Sequence, residues 1–178
     1  MPCARVRVYI PCPVAPCCCC CYYGGNGCVA QDDAEAARLY SLAAAQGYAS
    51  AQFNSGFMFS KGQGVAQDYA EAVRLFSLAA AQGDADAQYD LGCMFDNGQG
   101  VAKNHAEAAR LYSLAAAQGH ADAQYNLGYM FENGQGVAQD TAEAIRWYRL
   151  AAAQGDAVAQ QQLDALLSLS RKCARRGA

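Results

Sequence analysis

Gly62-Gln63-Gly64-Val65-Ala66 returns as Gly98-Gln99-Gly100-Val101-Ala102 and again as Gly134-Gln135-Gly136-Val137-Ala138, each time 36 residues further on and without a gap. A repeat period in the range of roughly 20 to 50 residues marks a stack of small supersecondary units, since one unit cannot bury its apolar face alone and needs its neighbours. The same shift lays Ala79-Ala80-Ala81-Gln82-Gly83 over residues 43–47, 115–119 and 151–155, and Glu71-Ala72-Val73-Arg74-Leu75-Phe76 over residues 35–40, 107–112 and 143–148. Four copies of one helix, here called helix B, are present.

Helix B is bounded chemically at both ends. Asp32, Asp68, Asn104 or Asp140 opens it, and Glu35, Glu71, Glu107 or Glu143 follows three residues later. This is the capping-box spacing: the cap oxygen takes first-turn N–H groups and the glutamate returns to the cap's own N–H, together contributing about 1 kcal/mol. Gly47, Gly83, Gly119 and Gly155 supply the left-handed residue that closes the helix, so its expected length is about fourteen residues. Between those ends Ala72, Leu75, Phe76 and Ala79 form an apolar stripe, with Glu71 and Arg74 on another side.

A second helix, A, follows each closing glycine and is clearest as Ala85 to Phe95 and Ala121 to Phe131, stopped by Asn97-Gly98 and Asn133-Gly134. Gly56, Gly92 and Gly128 fall inside it, where glycine costs about 1 kcal/mol against alanine, so a compensating close helix-to-helix approach is expected there.

The string Ala123-Gln124-Tyr125-Asn126-Leu127-Gly128-Tyr129-Met130-Phe131-Glu132-Asn133-Gly134-Gln135-Gly136-Val137, with Ala142-Glu143-Ala144-Ile145-Arg146-Trp147-Tyr148 and Ala151-Ala152-Ala153-Gln154-Gly155 after it, closely resembles the Sel-one-like repeat, a relative of the tetratricopeptide repeat. The resemblance covers about residues 26–163. It implies an all-α fold, a right-handed α-α superhelix of helical hairpins, and a role as an adaptor holding proteins together in signalling or quality-control assemblies. Two departures stand at the ends. From Ala157 the last helix A has Asp164 for the glycine and lacks the Gly-x-Gly turn, and Gln160, Gln161 and Gln162 add the polarity of a capping helix. Tyr22 to Val29 echoes Met130 to Val137 only faintly, and Pro13 and Pro16 oppose a regular helix before it. The expected organisation is a cysteine-rich low-complexity leader over 1–25, a solenoid over 26–170 and a basic tail over 171–178.

All sixteen acids lie between Asp32 and Asp164, with seven basic residues among them, while Arg171, Lys172, Arg175 and Arg176 crowd the end. An acidic body opposes a phosphate backbone, and four local cations do not reverse that, so nucleic acid is not the expected partner. No stretch approaches the roughly 18 consecutive apolar residues of a spanning helix. Eight of the ten cysteines precede residue 30, five of them in the run Cys17 to Cys21. Neither a disulfide framework nor a metal site is ordinarily spaced that way, and low complexity is the reading, with a zinc site at Cys17, Cys20 or their neighbours and acylated cysteines as the alternatives. Arg5 and Arg7 ahead of an apolar run suggest a targeting peptide, which Pro11, Pro13 and Pro16 interrupt. Nothing in the chain decides a compartment, a cytoplasmic one being the default.

Motifs for catalysis or ligand binding do not survive inspection. Gly62-Gln63-Gly64 ahead of a helix lacks the third glycine and the preceding strand of a phosphate loop, and Asp68 places an anion where phosphate would sit. Asp84, Asp86 and Asp90 lack the central glycine and closing glutamate of a calcium loop and read as a helix start. His105 and His120, each at a helix start with no partner at metal spacing, read as solvent-facing. Some secreted proteins resembling this family pair cysteines within each repeat and are linked to penicillin-like compounds. Here Cys93 alone lies within a complete repeat, which leaves a cysteine-rich hydrolase or penicillin-binding relative as the alternative to an adaptor, beside a non-binding spacer. No catalytic residue, cofactor or metal site is expected.

The candidate site is the set of helix A positions that repeat at three and four residues off the core stripe: Asn54, Phe57 and Lys61; Asp90, Cys93 and Asn97; Asn126, Tyr129 and Asn133. In stacked hairpins helix A lines the concave surface, so these residues form columns that a partner protein or peptide could touch.

Overall fold

A computed structural model of the chain describes residues 32–176, with side chains through residue 168. The expectation for residues 1–25 lies outside the described residues, as do the side chains of the basic tail. The described chain runs through α1 (Asp33–Ala45), α2 (Ala49–Lys61), α3 (Tyr69–Ala81), α4 (Ala85–Asn97), α5 (His105–Ala117), α6 (Ala121–Asn133), α7 (Thr141–Ala153) and α8 (Ala157–Arg176). Odd-numbered helices are B, even-numbered ones are A, and each packs on the next in chain order to form an all-α helical-repeat superhelix. No strand occurs among the described residues.

The caps form, with one correction. Asp68 Oδ1 accepts from the Ala70 and Glu71 N–H groups at 2.9 and 3.1 Å, and Asn104 and Asp140 repeat the arrangement. In α3, α5 and α7 the glutamate does not return to the cap. Glu71 holds Arg74 at 2.6 and 2.8 Å instead, and Glu35, Glu107 and Glu143 hold Arg38, Arg110 and Arg146. The cap N–H is already spent: Asp68, Asn104 and Asp140 donate to the carbonyls of Phe59, Phe95 and Phe131, tying each B helix to the A helix before it. An arginine three residues on offers a charge-assisted fork, which outbids a single neutral N–H for the carboxylate. The B helices are thirteen residues long rather than fourteen because Gln82 and its equivalents already belong to the cap. Gly83, at φ 91°, donates to the Ala80 carbonyl, and the Asp84 N–H reaches the Ala79 carbonyl, the paired bonds of a Schellman ending.

The glycines inside helix A make the close approach that the sequence implied. A Cβ on Gly92 would stand 2.8 Å from the Tyr112 ring, and one on Gly56 or Gly128 would stand 2.9 Å from Phe76 or Tyr148. Each of α3, α5 and α7 thus lays an aromatic ring on the bare backbone of the A helix before it. Burying such a ring stabilises by about 1.5–3 kcal/mol, more than the roughly 1 kcal/mol that a mid-helix glycine costs. Phe76, Tyr112 and Tyr148 are at most 2% exposed. The two phenols keep their polar ends satisfied, Tyr148 donating to Glu132 Oε2 at 2.7 Å and Tyr112 to Cys93 Sγ at 3.4 Å.

The Gly-x-Gly turn spaces the repeats. Its second glycine, at φ 70° in Gly100, presses on the Tyr69 carbonyl at the start of the B helix one repeat earlier, and Gly64 and Gly136 meet the Asp33 and His105 carbonyls likewise. The last described A helix, α8, has no described B helix after it, and there the glycine is replaced by exposed Asp164, which accepts from Gln160 at 3.1 Å.

Gly92→Ala is expected to lower stability by about 1 kcal/mol, the overpacking cost of about 1–3 kcal/mol exceeding alanine's helical advantage. Asp164→Ala should stay within about 0.5 kcal/mol. Urea unfolding followed by circular dichroism compares the two, and a more stable Gly92→Ala would show that the ring does not limit this helix. Burial first, then the Cys93 and Glu132 contacts respectively, raise the Tyr112 and Tyr148 phenols well above the usual value of 10.0. Stability from keeping them neutral is therefore complete below pH about 10 and is lost as pH rises beyond it. Absorbance titration at alkaline pH should show these two tyrosines ionising only together with loss of helix.

Candidate partner-binding face

The outward stripe of each A helix follows from what its other sides bury. In α4, Ala87, Leu91 and Met94 enter the core with Phe76 and Leu111, leaving Asp86, Asp90 and Asn97 toward solvent. The 36-residue repeat places Ser50, Asn54, Phe57 and Lys61 of α2 and Asp122, Asn126, Tyr129 and Asn133 of α6 in the same rows. Lys61, Asn97 and Asn133 are exposed, Tyr129 is 39% exposed, and Asn54, Phe57, Asp90 and Asn126 are half-buried. The Lys61 ammonium stands 5.7 Å from the centre of the Phe57 ring.

Cys93 departs from its row. It is 8% exposed and receives the Tyr112 hydroxyl, so its sulfur is a packing atom of the core and offers a partner nothing. Asn54, Asn97 and Asn133 each donate Nδ2 to the carbonyl four residues earlier, at 2.8, 2.8 and 2.9 Å. A carbonyl only accepts, so this bond settles which branch of the amide is nitrogen and turns the oxygen away from the helix backbone.

The histidines correct the solvent-facing expectation. His105 Nδ1 lies 2.7 Å from Asp96 Oδ1, joining the start of α5 to the end of α4. His120 is the N-cap of α6: its Nδ1 accepts from the Ala123 N–H at 3.2 Å, its Nε2 faces Asp86 Oδ1 at 3.4 Å, and its ring stacks on Tyr89 with centroids 4.6 Å apart. The hydrogen bond from His120 holds the Asp86 carboxyl below the ordinary aspartate value, while burial raises that of Asp84, the N-cap of α4. Both histidines brace α4 against its neighbours, a role their helix-start positions did not disclose.

A buried glutamine ladder also went unread. Gln52, Gln88 and Gln124 are buried, and each Oε1 accepts at 2.8 Å from the glutamine that ends the next B helix: Gln82, Gln118 or Gln154. Each buried Nε2 donates to a carbonyl of the preceding B helix: Ala44, Ala80 or Ala116. The legible signal was one glutamine returning at the same place in an otherwise apolar side of each A helix, which demands a repeated partner.

Among the described residues, no group of three histidine, cysteine or acidic side chains could hold a metal ion, and no helix is long and apolar enough to cross a membrane.

The sequence matches the family profile described as Sel1 repeat over residues 17–48, 49–84, 85–120 and 121–156. Among solved structures, it is 39% identical to a protective antigen present in uropathogenic Escherichia coli strains and displaying an SLR fold, with a TM-score of 0.74 over 78% of this chain and 30% of that one. A Sel1 repeat protein from Oxalobacter formigenes is 37% identical with a TM-score of 0.74, over 80% and 58% of the two chains. Helicobacter pylori cysteine rich protein B, at 24% identity, shares the fold with a TM-score of 0.60 over 78% of this chain and all of that one. The chain therefore spans less than two thirds of the first two relatives. No curated protein matches it.

Gln118→Ala should strand the buried Gln88 oxygen and cost about 1–3 kcal/mol, whereas Gln46→Ala, at the exposed end of α1, should cost less than about 0.5 kcal/mol. Thermal melts of both variants check the contrast, and equal losses would mean that the ladder holds no more than any surface glutamine.

Proposed function

Because the chain belongs to the Sel1 repeat family, matched in four successive repeats, we propose that it is a non-catalytic scaffold or adaptor whose A-helix face holds a partner protein or peptide. Proteins with this repeat typically serve protein–protein interaction. One observation carries the reading to this face. The alanines of closest packing are constant along the chain, Ala72, Ala108 and Ala144 and also Ala79, Ala115 and Ala151 being fully buried in turn, while the outward rows change from Asn54 to Asp90 to Asn126 and from Lys61 to Asn97 to Asn133. Repeats copied for packing alone have no need of such variety, but a surface that reads one extended ligand does. The solenoid is taken to run from 26 to 170, ahead of the basic tail. The cysteine-rich alternative finds no support in the complete repeats, where Cys93 is the lone cysteine.

Affinity capture with the full chain, set beside the Asp90→Ala/Tyr129→Ala variant, tests the reading. Loss of an exposed aromatic anchor on α6 and of a carboxylate on α4 should weaken a genuine partner by at least about tenfold. A partner held equally by both chains would remove the A-helix face from consideration, and failure of either chain to retain any partner would favour a spacer.

A further inference from the structure

Charge is divided unequally between the two kinds of helix. The A helices α2, α4 and α6 carry Asp86, Asp90, Asp96, Asp122 and Glu132 against Lys61 alone. The B helices hold their glutamates against arginines three residues on: Glu35 with Arg38, Glu71 with Arg74, Glu107 with Arg110 and Glu143 with Arg146. One face is therefore close to neutral and the other is negative. Asp86 and Asp96 meet His120 and His105, and Glu132 accepts from the Tyr148 hydroxyl. These contacts orient the carboxylates, and the hydrogen bond from His120 favours the charged form of Asp86.

Two further features of the same face agree with the sign. Asn54, Asn97 and Asn133 spend an amide N–H on their own helices, so their oxygens are the branches turned away from the backbone. A row of carboxylates and amide oxygens accepts hydrogen bonds and is matched by donors. Aromatic rings stand in the same rows, and Phe57 already has an ammonium, that of Lys61, within 5.7 Å of its centre, with Tyr129 exposed two repeats on. A ring face attracts a cation through its quadrupole.

We propose that the occupant of the A-helix face is a cationic segment of a partner protein, bearing several lysine or arginine side chains that lie across α4 and α6 toward the Tyr129 ring. The proposal rests on the scaffold reading above and adds the chemistry of the partner. Asp86, Asp90 and Asp122 receive the cations. Tyr129 takes one on its ring, and the neutral B face takes none.

The test uses the full chain and fluorescence anisotropy with two labelled probes: a fifteen-residue peptide of alanine with interspersed arginine and lysine, and its counterpart with glutamate at every basic position. Two variants alter net charge equally, Asp86→Asn/Asp90→Asn/Asp122→Asn on the A face and Glu71→Gln/Glu107→Gln/Glu143→Gln on the B face. The cationic peptide should bind and the anionic one should not. The A-face variant should weaken binding about tenfold, as befits three ion pairs at exposed and half-buried carboxylates, and the B-face variant should stay within about twofold. Raising salt should weaken the native complex and narrow the gap between the variants. Asp90→Asn/Asp122→Asn, which keeps Asp86 on His120, should show an intermediate loss and covers the case in which the triple variant unfolds. Equal losses from the two faces, or equal binding of the two peptides, would overturn the cationic partner. A captured partner that depends on Asp90 and Tyr129 together, yet ignores salt, Asp86 and Asp122, would overturn it while leaving the scaffold reading in place.

Discussion

An aromatic ring from each of α3, α5 and α7 rests where the preceding A helix has no side chain, and the stacking of the described helices depends on that seat. Gly56, Gly92 and Gly128 are the only residue type that leaves room for Phe76, Tyr112 and Tyr148, since even a methyl group would stand under 3 Å from the ring. The seat sets how near the two helices lie and in what register. The alanines around it, Ala72, Ala79, Ala108, Ala115, Ala144 and Ala151, are fully buried and keep the same short distance on either side. Because the contact joins each helix only to the next, the fold grows by addition and depends on no long-range closure. At the equivalent place in α8 a charged side chain, Asp164, stands where a ring packed on that helix would need bare backbone.

Apolar contact at such short range does little to choose among near-identical repeats, and the polar bonds supply the missing register. The glutamine ladder crosses from each A helix to the B helices on both sides, and its groups are buried deeply enough that a slip would strand amides away from water. The caps do the same at the surface, where the N–H of Asp68, Asn104 or Asp140 binds the end of the helix before it. With these groups committed to holding the stack, the outward row of each A helix is left for other chemistry. On α4 and α6 that side of the stack carries acids that no lysine or arginine of the same helices balances.

The chain's period, helix boundaries and turn glycines are legible without coordinates because they rest on local chemistry: a capping oxygen, a left-handed residue and an apolar stripe act within a few residues of themselves. The outward rows were legible for the same reason, since a helix of known phase has a known far side. What local pattern misjudged was competition. Glu71 has the spacing of a capping box, but Arg74 and the Phe59 carbonyl take the two groups that the box would join. Cys93 has the phase of an outward position, but the Tyr112 hydroxyl reaches it from the next helix.

The sequence by itself determined that this protein is a stack of two-helix units, where each helix begins and ends, and which residue lies at the centre of each helix contact. Tertiary structure alone decided which polar groups found one another: Gln88 with Gln118, His120 with Asp86 and Tyr89, Tyr148 with Glu132. The reason is distance along the chain. A helix cap or an apolar stripe answers to neighbours within about four residues, whereas these partners lie on different helices, sixteen to thirty-four residues apart in the sequence, and meet only after the aromatic rings have set the spacing between helices.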